Sequence, residues 1–197
     1  MHPKLNNPRA LQILTAAQDE FGRRGFDGGR VERIARRARV NKQLVFYYYN
    51  SKRGLFQAVL SRAATELERA IGQVAGVEGR PLARLRAVLD AQFDFLAANP
   101  DLVTLLMQAG RSEARPLAPA IRRLVVLLAE GQGLGDVRDD LDPHLAATQA
   151  LLLMIAYVGL EPLIATSAPQ LGNDESTLSQ RWKDAALKLV LEGVSAR

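Results

Sequence analysis

Three consecutive side chains at residues 42–44 offer chemistry that can read the edges of nucleic-acid bases. Gln43 carries an amide that can form two hydrogen bonds with adenine, Lys42 can reach the acceptors of guanine, and Leu44 can contact the methyl group of thymine. Such readout requires these side chains at the exposed amino-terminal end of a helix that enters the major groove. The interpretation therefore depends on the elements that surround them.

Residues 31–49 have the pattern of a helix-turn-helix. Two short helices are predicted, the second beginning after Asn41 as its N-cap, and the small residue Ala35 lets the two cross closely. A unit of this size buries too little apolar surface to fold alone, so a preceding helix over about residues 8–25 has to cover it. The apolar stripe of that preceding helix consists of Ala10, Ile13, Leu14, Ala17 and Phe21.

The first quarter of the chain holds the whole excess of positive charge. Residues 1–56 contain 12 Lys and Arg against 4 Asp and Glu, a net charge of +8, whereas residues 57–197 contain 14 against 17, a net charge of −3. A basic module beside a weakly acidic body favours a polyanionic partner. Charge alone leaves open an ordinary solvated basic face, so the helix-turn-helix pattern carries the interpretation.

The remainder of the chain is also predicted to be helical. A fourth helix opens at Ser51, and no stretch alternates as a β-strand does. The predicted fold is therefore all-α, with about nine helices: an N-terminal three-helix helix-turn-helix module and a C-terminal helical bundle. Asn7-Pro8 and Asp142-Pro143 are predicted to start helices, and Gly25 and Gly131 are predicted to end them. Proline and glycine divide the later helices into segments at about 82–96, 100–107, 121–128, 143–160 and 178–190, with loops at 111–119 and 166–176.

The composition excludes several classes of enzyme chemistry. The chain has no cysteine, which excludes thiol nucleophiles and thiolate metal sites. It has only two histidines, His2 and His144, which are too few for a histidine metal site and disfavour a Ser-His-Asp triad. The sequence contains neither a Glu-x-x-His pair nor a Walker-type phosphate loop. We therefore expect no catalytic residues, no metal and no cofactor.

The sequence also favours a cytoplasmic protein without membrane contact. No signal peptide is visible at the start of the chain. The longest apolar run, Leu145 to Leu160, is interrupted by Thr148 and Gln149 and is too short to span a bilayer.

The basic region also carries five short motifs at fixed spacing. These are Gly25-Phe26, Val31-Glu32-Arg33-Ile34-Ala35, Ala38-Arg39-Val40, Phe46-Tyr47-Tyr48-Tyr49 and Ser51-Lys52-Arg53-Gly54-Leu55-Phe56. Together they resemble the DNA-binding signature of the tetracycline-repressor (TetR) family. The resemblance implies a homodimeric, ligand-responsive transcriptional regulator.

The resemblance also implies roles for individual residues in binding double-stranded DNA. The family residues that match Lys42, Gln43 and Leu44 face bases, and those that match Tyr48 and Lys52 contact phosphates. Lys52 also makes physical sense, because the N-terminus of a helix attracts an anion. The complete predicted DNA-binding set is Arg30, Arg33, Lys42, Gln43, Leu44, Phe46, Tyr47, Tyr48 and Lys52.

Five positions depart from the family pattern. Gly29 replaces the usual Thr cap of the second helix and is a weaker cap. Arg39 replaces the usual Gly of the turn, so a left-handed backbone there would cost about 1–3 kcal/mol. Phe46 lacks the hydroxyl of the usual Tyr, Tyr48 replaces His and supplies a hydroxyl, and Gly54 replaces a Glu that would complete a capping box.

Beyond the signature, the resemblance implies an effector pocket in the middle helices and a dimer interface in the last two. Small residues along 143–160 allow close helix approach, although a purely intramolecular core is an alternative. The predicted effector-binding residues are Phe93, Leu105, Met107 and Tyr157. The predicted dimer residues are Ala146, Ala150, Leu153, Tyr157, Leu178, Trp182 and Leu189.

We therefore predict a DNA-binding domain over residues 1–50 and an effector-binding and dimerisation domain over residues 51–197. The predicted function is a repressor that a small, mainly hydrophobic effector releases from a pseudo-palindromic operator. A two-fold dimer would set the recognition helices about 34–36 Å apart, one turn of DNA. The alternative is an architectural or accessory DNA-binding protein of the same fold that needs no effector.

Overall fold

The computed structural model describes residues 7–74, 78–108, 117–168, 171 and 175–196. Over these residues it contains nine α-helices, as the hydrophobic periodicity predicts, and an isolated β-bridge joins Val137 to Ser195. The helices are α1 Pro8–Gly28, α2 Val31–Arg37, α3 Lys42–Tyr49, α4 Lys52–Val74, α5 Pro81–Ala97, α6 Pro100–Gln108, α7 Ala118–Gly133, α8 Pro143–Ser167 and α9 Glu175–Val194.

Three polar side chains start helices at the positions predicted from sequence. Asn7 and Asn41 each accept a hydrogen bond of 2.8 Å from a backbone N–H of the first turn, and Asp142 accepts one of 2.7 Å. Each bond satisfies an amide that has no acceptor within its own helix.

Two helices continue past the glycines that were predicted to end them. Helix α1 reaches Gly28, because Gly25 takes φ +69° and ψ 178° and bends the helix instead of stopping it. Helix α7 includes Gly131, where a Cβ would lie 2.5 Å from the side chain of Val137. Most of the two predicted loops, at 111–119 and 166–176, lies outside the described residues.

Helix α8 is longer than the apolar run that predicted it. It continues through Pro162 and has 25 residues, so by length and composition it could cross a membrane. One of its faces instead supplies core residues to a helical bundle, among them the buried Leu151 and Met154. A core helix of a bundle passes the same test of length and composition.

The first compact unit comprises the described residues of Met1–Thr65 and Asp101–Pro116. Its core consists of the inward faces of α1, α2 and α3 with the first part of α4 and Leu105 of α6. Phe21 packs edge-to-face on Phe56 with 5.3 Å between ring centroids, and both side chains are fully buried. Edge-to-face packing suits the charge distribution of aromatic rings.

Helix α3 is attached to this core at two points. Val45 is buried one turn after the helix begins, and Tyr49 is buried at its end. The hydroxyl of Tyr49 donates a hydrogen bond of 2.8 Å to the carbonyl oxygen of Ala10 on α1. These contacts fix which face of α3 points inward.

The second compact unit comprises the described residues of Glu66–Pro100 and Leu117–Arg197. Lys183 of α9 is buried and lies 2.9 Å from a carboxylate oxygen of Asp90 and 2.7 Å from one of Asp94, both on α5. Burial lowers the pKa of Lys183, but the two carboxylates raise it more, so the lysine is charged. After Thr65, within α4, the chain passes from the first unit to the second, and the functional boundary after residue 50 stays a prediction.

Replacing Tyr49 by Phe is expected to lower the free energy of unfolding by about 0.5–1.5 kcal/mol, because the carbonyl of Ala10 loses its partner. Burial raises the pKa of Tyr49 from 10.0 to about 12, so the wild-type protein should also lose stability between these pH values, where the unfolded state binds fewer protons. The Phe variant should lack that component. Urea denaturation followed by circular dichroism measures both effects.

The matched control is Tyr47→Phe, which removes a hydroxyl from a side chain that is 57% exposed. We expect its free energy of unfolding to stay within about 0.5 kcal/mol of wild type. An equal loss in both variants would mean that the buried hydrogen bond does not hold α3 in place.

Candidate functional site

A four-residue turn sets α3 across α2. The backbone N–H of Val40 donates a hydrogen bond of 3.0 Å to the carbonyl oxygen of Ala35, which closes the turn. Arg39 has φ +53°, so the left-handed residue expected in the turn is present and costs about 1–2 kcal/mol in an L-amino acid. This conformation leaves the Arg39 side chain exposed beside the start of α3.

The outward face of α3 presents three exposed side chains. Lys42 and Gln43 lie in its first turn and Tyr47 one turn later. Because Val45 and Tyr49 point inward, the amide of Gln43 is free to meet a ligand in the solvent. The other predicted contact residues of α3 are half-buried, with one side packed on the core: Leu44, Phe46 and Tyr48.

Lys42 already has a partner in the protein. Its Nζ lies 2.5 Å from Oε1 of Glu32 on α2 and 5.6 Å from the centroid of the Phe46 ring. The hydrogen bond from Lys42 holds the pKa of the Glu32 carboxyl below its usual value, so the pair is ionised at neutral pH. A nucleic-acid ligand therefore has to draw Lys42 away from a carboxylate that itself repels phosphate.

The two predicted arginines of α2 have different surroundings. Arg33 is half-buried and donates hydrogen bonds to Glu20, at 2.6 Å, and to the carbonyl of Gly28, also at 2.6 Å. Burial raises the pKa of Glu20, but the bonds from Arg33 and from the backbone N–H of Arg30 lower it more, so the carboxylate stays charged. Arg33 thus braces α1 against α2, whereas the side chain of Arg30 is exposed.

Lys52 opens α4 at the edge of the same surface. Its Nζ lies 3.2 Å from the carbonyl oxygen of Asp27 and 4.7 Å from the centroid of the Phe26 ring. These contacts hold the ammonium group against the end of α1, and Lys52 is itself the first residue of α4, where unpaired backbone N–H groups favour an anion.

Two glycines that depart from the family pattern are required by packing. A Cβ at Gly29 would lie 2.5 Å from the ring of Phe21, and one at Gly54 would overlap the carbonyl oxygen of Tyr49. The N-cap of α2 is Arg30, without a side-chain cap bond, so the cap predicted at Gly29 was misplaced by one residue. The backbone N–H of Gly54 instead donates to the Ser51 hydroxyl at 2.9 Å.

The four predicted effector residues are divided between the two units. Phe93 and Tyr157 are buried in the second unit, their ring centroids 5.7 Å apart, and Tyr157 stacks in turn on Trp182 at 4.9 Å. Leu105 is buried in the core of the first unit, whereas Met107 is 54% exposed on the same helix, α6. The structure therefore brings two of the four together.

A cavity of about 440 Å³ lies in the second unit between α4, α5 and α7. None of the four predicted effector residues lines it. A sequence signal was present, since adjacent arginines at 122–123 precede the apolar Val126 and Leu127 on one helix. The lining residues are Glu68, Val74, Arg84, Val88, Pro119, Arg122, Arg123, Val126 and Leu127.

The predicted dimer residues fall into two groups. Ala146, Ala150, Leu153 and Leu189 line a common groove between α8 and α9. Three others pack within the unit, either buried or half-buried: Tyr157, Leu178 and Trp182.

The face of α8 opposite its buried residues carries leucines that stay exposed in the described part of the chain. Leu145 is 62% exposed, Leu152 53% and Leu163 59%, and Leu189 on α9 is 67% exposed. The small-residue stripe was predicted as the interface because helical periodicity does not tell which of two apolar faces packs inside. An exposed apolar stripe of this length is typical of an interaction surface.

The chain is similar in sequence to known bacterial regulatory proteins. The model of the family described as bacterial regulatory proteins, tetR family, matches residues 13–59. The HTH-type transcriptional repressor SCO4008 of Streptomyces coelicolor is 31% identical over 195 residues, which cover 91% of this chain and 93% of that protein.

Solved structures show the same all-α fold. SCO4942 from Streptomyces coelicolor is 28% identical, with a TM-score of 0.74 over 93% of this chain and 97% of that one. FadR from Bacillus subtilis, solved in complex with stearoyl-CoA, is 19% identical, with a TM-score of 0.75 over 93% and 98% of the two chains. At that identity the second likeness shows the fold alone. The predicted fold class is confirmed.

Replacing Glu32 by Gln is expected to raise the affinity for duplex DNA about five-fold, because Lys42 is released and a charge that repels phosphate is removed. The affinity should also fall more steeply as salt rises. Fluorescence anisotropy titrations of a labelled duplex at several KCl concentrations measure both quantities.

Glu192→Gln is the matched control, since Glu192 forms a similar exposed pair with Lys188, at 3.8 Å, on α9. It removes the same charge from the chain, and we expect no change in affinity. If Glu32→Gln bound DNA no more tightly than this control, the pair with Lys42 would have no influence on DNA binding.

Proposed function

This chain belongs to the TetR family of bacterial regulatory proteins, and we propose that it is a repressor which binds a pseudo-palindromic operator as a homodimer and leaves it when a small effector binds. The single observation that carries the proposal is that Lys42 and Gln43 are exposed at the amino-terminal end of α3, a helix that is bonded through Tyr49 to the basic first unit. Repression is supported by the name of the Streptomyces coelicolor relative. We also infer a cytoplasmic, non-enzymatic protein.

Two kinds of contact would serve DNA recognition: contacts with base edges and contacts with phosphates. Gln43 would pair with adenine through both amide atoms, and Lys42, once released from Glu32, would reach the acceptors of guanine. Arg30, which is exposed, and Lys52, which is half-buried, are cations near Lys42 and Gln43 and would bind phosphates of the DNA backbone. Phosphate contacts of this kind set the orientation of α3 and supply most of the salt-dependent affinity.

Release by an effector is supported by the course of α4. This helix begins at Lys52 beside the reading surface, and its last turns supply Glu68 and Val74 to the cavity of about 440 Å³. A ligand that fits the cavity in only one position of α4 would favour that position by its difference in affinity for the two states. Cavities of this volume suit small molecules.

Dimerisation is supported by the uncovered leucines of α8 and α9. Leu145, Leu152 and Leu163 follow one another at helical spacing, and Leu189 adds an exposed apolar side chain from the neighbouring helix. Two copies of the chain that pack these faces together would form a two-fold dimer. The dimer would carry two copies of α3, one for each half-site of the operator.

Substitution of Gln43 by Ala should cost about 1–3 kcal/mol of binding to an operator selected from a random pool, and should relax sequence choice at one position of each half-site. Substitution of Lys52 by Ala should weaken binding to all duplexes alike and lower the salt slope by about one unit per subunit. Gel-shift titrations against the selected duplex and its single-position variants, at several salt concentrations, give both results.

Lys188→Ala provides the control for charge, because Lys188 is an exposed lysine of α9. Its binding curve should overlay that of wild type. Equal competition by specific and random duplexes would contradict the repressor proposal and favour an architectural DNA-binding protein. An unchanged salt slope in Lys52→Ala would remove Lys52 from the phosphate contacts.

Substitution of Leu152 by Lys is expected to raise the dissociation constant of the dimer at least about ten-fold, because a charge would be buried among apolar side chains. Sedimentation velocity over a range of protein concentrations measures the change. Leu134→Lys is the control, since Leu134 is 62% exposed at the end of α7, outside α8 and α9. A Leu152→Lys protein that dimerised as wild type does would place the interface on another face.

A further inference from the structure

The cavity in the second unit presents cations that this unit does not neutralise. Arg84 is already paired, since its Nη1 lies 2.7 and 2.9 Å from the two carboxylate oxygens of Glu130. Arg122 and Arg123 also line the cavity, and within the described ranges neither forms an ion pair. Among the described lining residues Glu68 carries the one carboxylate, so they leave the cavity with an excess of positive charge.

The rest of the lining is apolar. Val74 of α4, Val88 of α5 and Val126 and Leu127 of α7 form a wall without hydrogen-bonding side chains. A small polar anion would leave this wall in contact with water, whereas a neutral apolar ligand would leave the arginines without a partner. The lining therefore suits a molecule with one apolar and one acidic part.

Arg122 and Arg123 together offer N–H donors to a group with two acceptor oxygens. Carboxylates match that requirement and form stronger hydrogen bonds with guanidinium groups than neutral oxygens do.

We propose that the effector is an amphipathic organic acid whose carboxylate is bound by Arg122 and Arg123, and whose apolar body packs on the valine-lined wall. This inference rests on the proposed function only in taking the cavity as the effector site. It refines the mainly hydrophobic effector expected from sequence by adding one obligatory negative charge.

The test measures binding to the DNA-free protein by isothermal titration calorimetry, so that it does not depend on the operator. The probes are straight-chain carboxylic acids of about six to fourteen carbons, each paired with the neutral alcohol of the same length, and inorganic phosphate. We expect the best acid to bind at least about ten-fold more tightly than its alcohol, and phosphate alone not to bind.

Arg122→Gln and Arg123→Gln are each expected to weaken binding of the acid about ten-fold and to leave binding of the alcohol unchanged. Arg86→Gln is the matched control, because Arg86 is an exposed arginine of α5 that does not line the cavity. Thermal unfolding of each ligand-free variant checks that the cavity is intact.

Equal affinity for an acid and its alcohol, the absence of binding by every acid, or arginine variants that bind the acid as wild type does would each overturn the inference. The repressor proposal would survive all three results, since operator binding by the ligand-free protein tests it separately. Binding of phosphate alone with the affinity of the acids would also overturn it, by showing that the apolar wall takes no part.

Discussion

A helix of eight residues is too short to keep its shape in water, so everything that α3 does depends on the contacts of its inner face. Val45 is buried in the core of the first unit, and the hydroxyl of Tyr49 is bonded to α1. With two inward positions fixed, the directions of Lys42 and Gln43 are fixed as well. The reading surface is therefore a consequence of packing on the opposite side of the helix.

The same packing decides which cations remain available to a polyanion. The basic region contains four acidic residues, and three of them have a basic partner: Asp19 pairs with Arg37, Glu20 with Arg33 and Glu32 with Lys42. The pair with the buried Glu20 joins two helices, whereas the pair with Glu32 lies on the exposed surface where DNA is proposed to bind. The net charge of the region is therefore a poor count of the cations that are free to bind phosphate. Some basic side chains join helices within the protein, as Arg33 does, and others lie on the surface where DNA is proposed to bind, as Lys42 does.

In the second unit, several helices use opposite faces for different purposes. Helix α8 turns alanines, Leu151 and Met154 toward its neighbours and leaves a row of leucines outside. Helix α7 places Leu124 and Leu128 in the core, while Arg122 and Arg123 line the cavity beside apolar side chains. Opposite faces of one helix therefore differ in their contacts: one face packs within the unit, and the other stays exposed or lines the cavity.

The sequence by itself determined the helices, their caps at Asn7, Asn41 and Asp142, and the helix-turn-helix with its basic surroundings, because these depend on neighbours within a few residues. Only the tertiary structure decided that Leu105 belongs to the first unit's core, that Lys42 faces Glu32, that α8 keeps its leucines outside, and that Arg122 and Arg123 share a cavity with Val74 and Val88. Each of these outcomes joins residues far apart in the chain or selects one of two equally apolar helix faces. Helical periodicity gives the spacing of such residues but carries no information on which neighbour they meet.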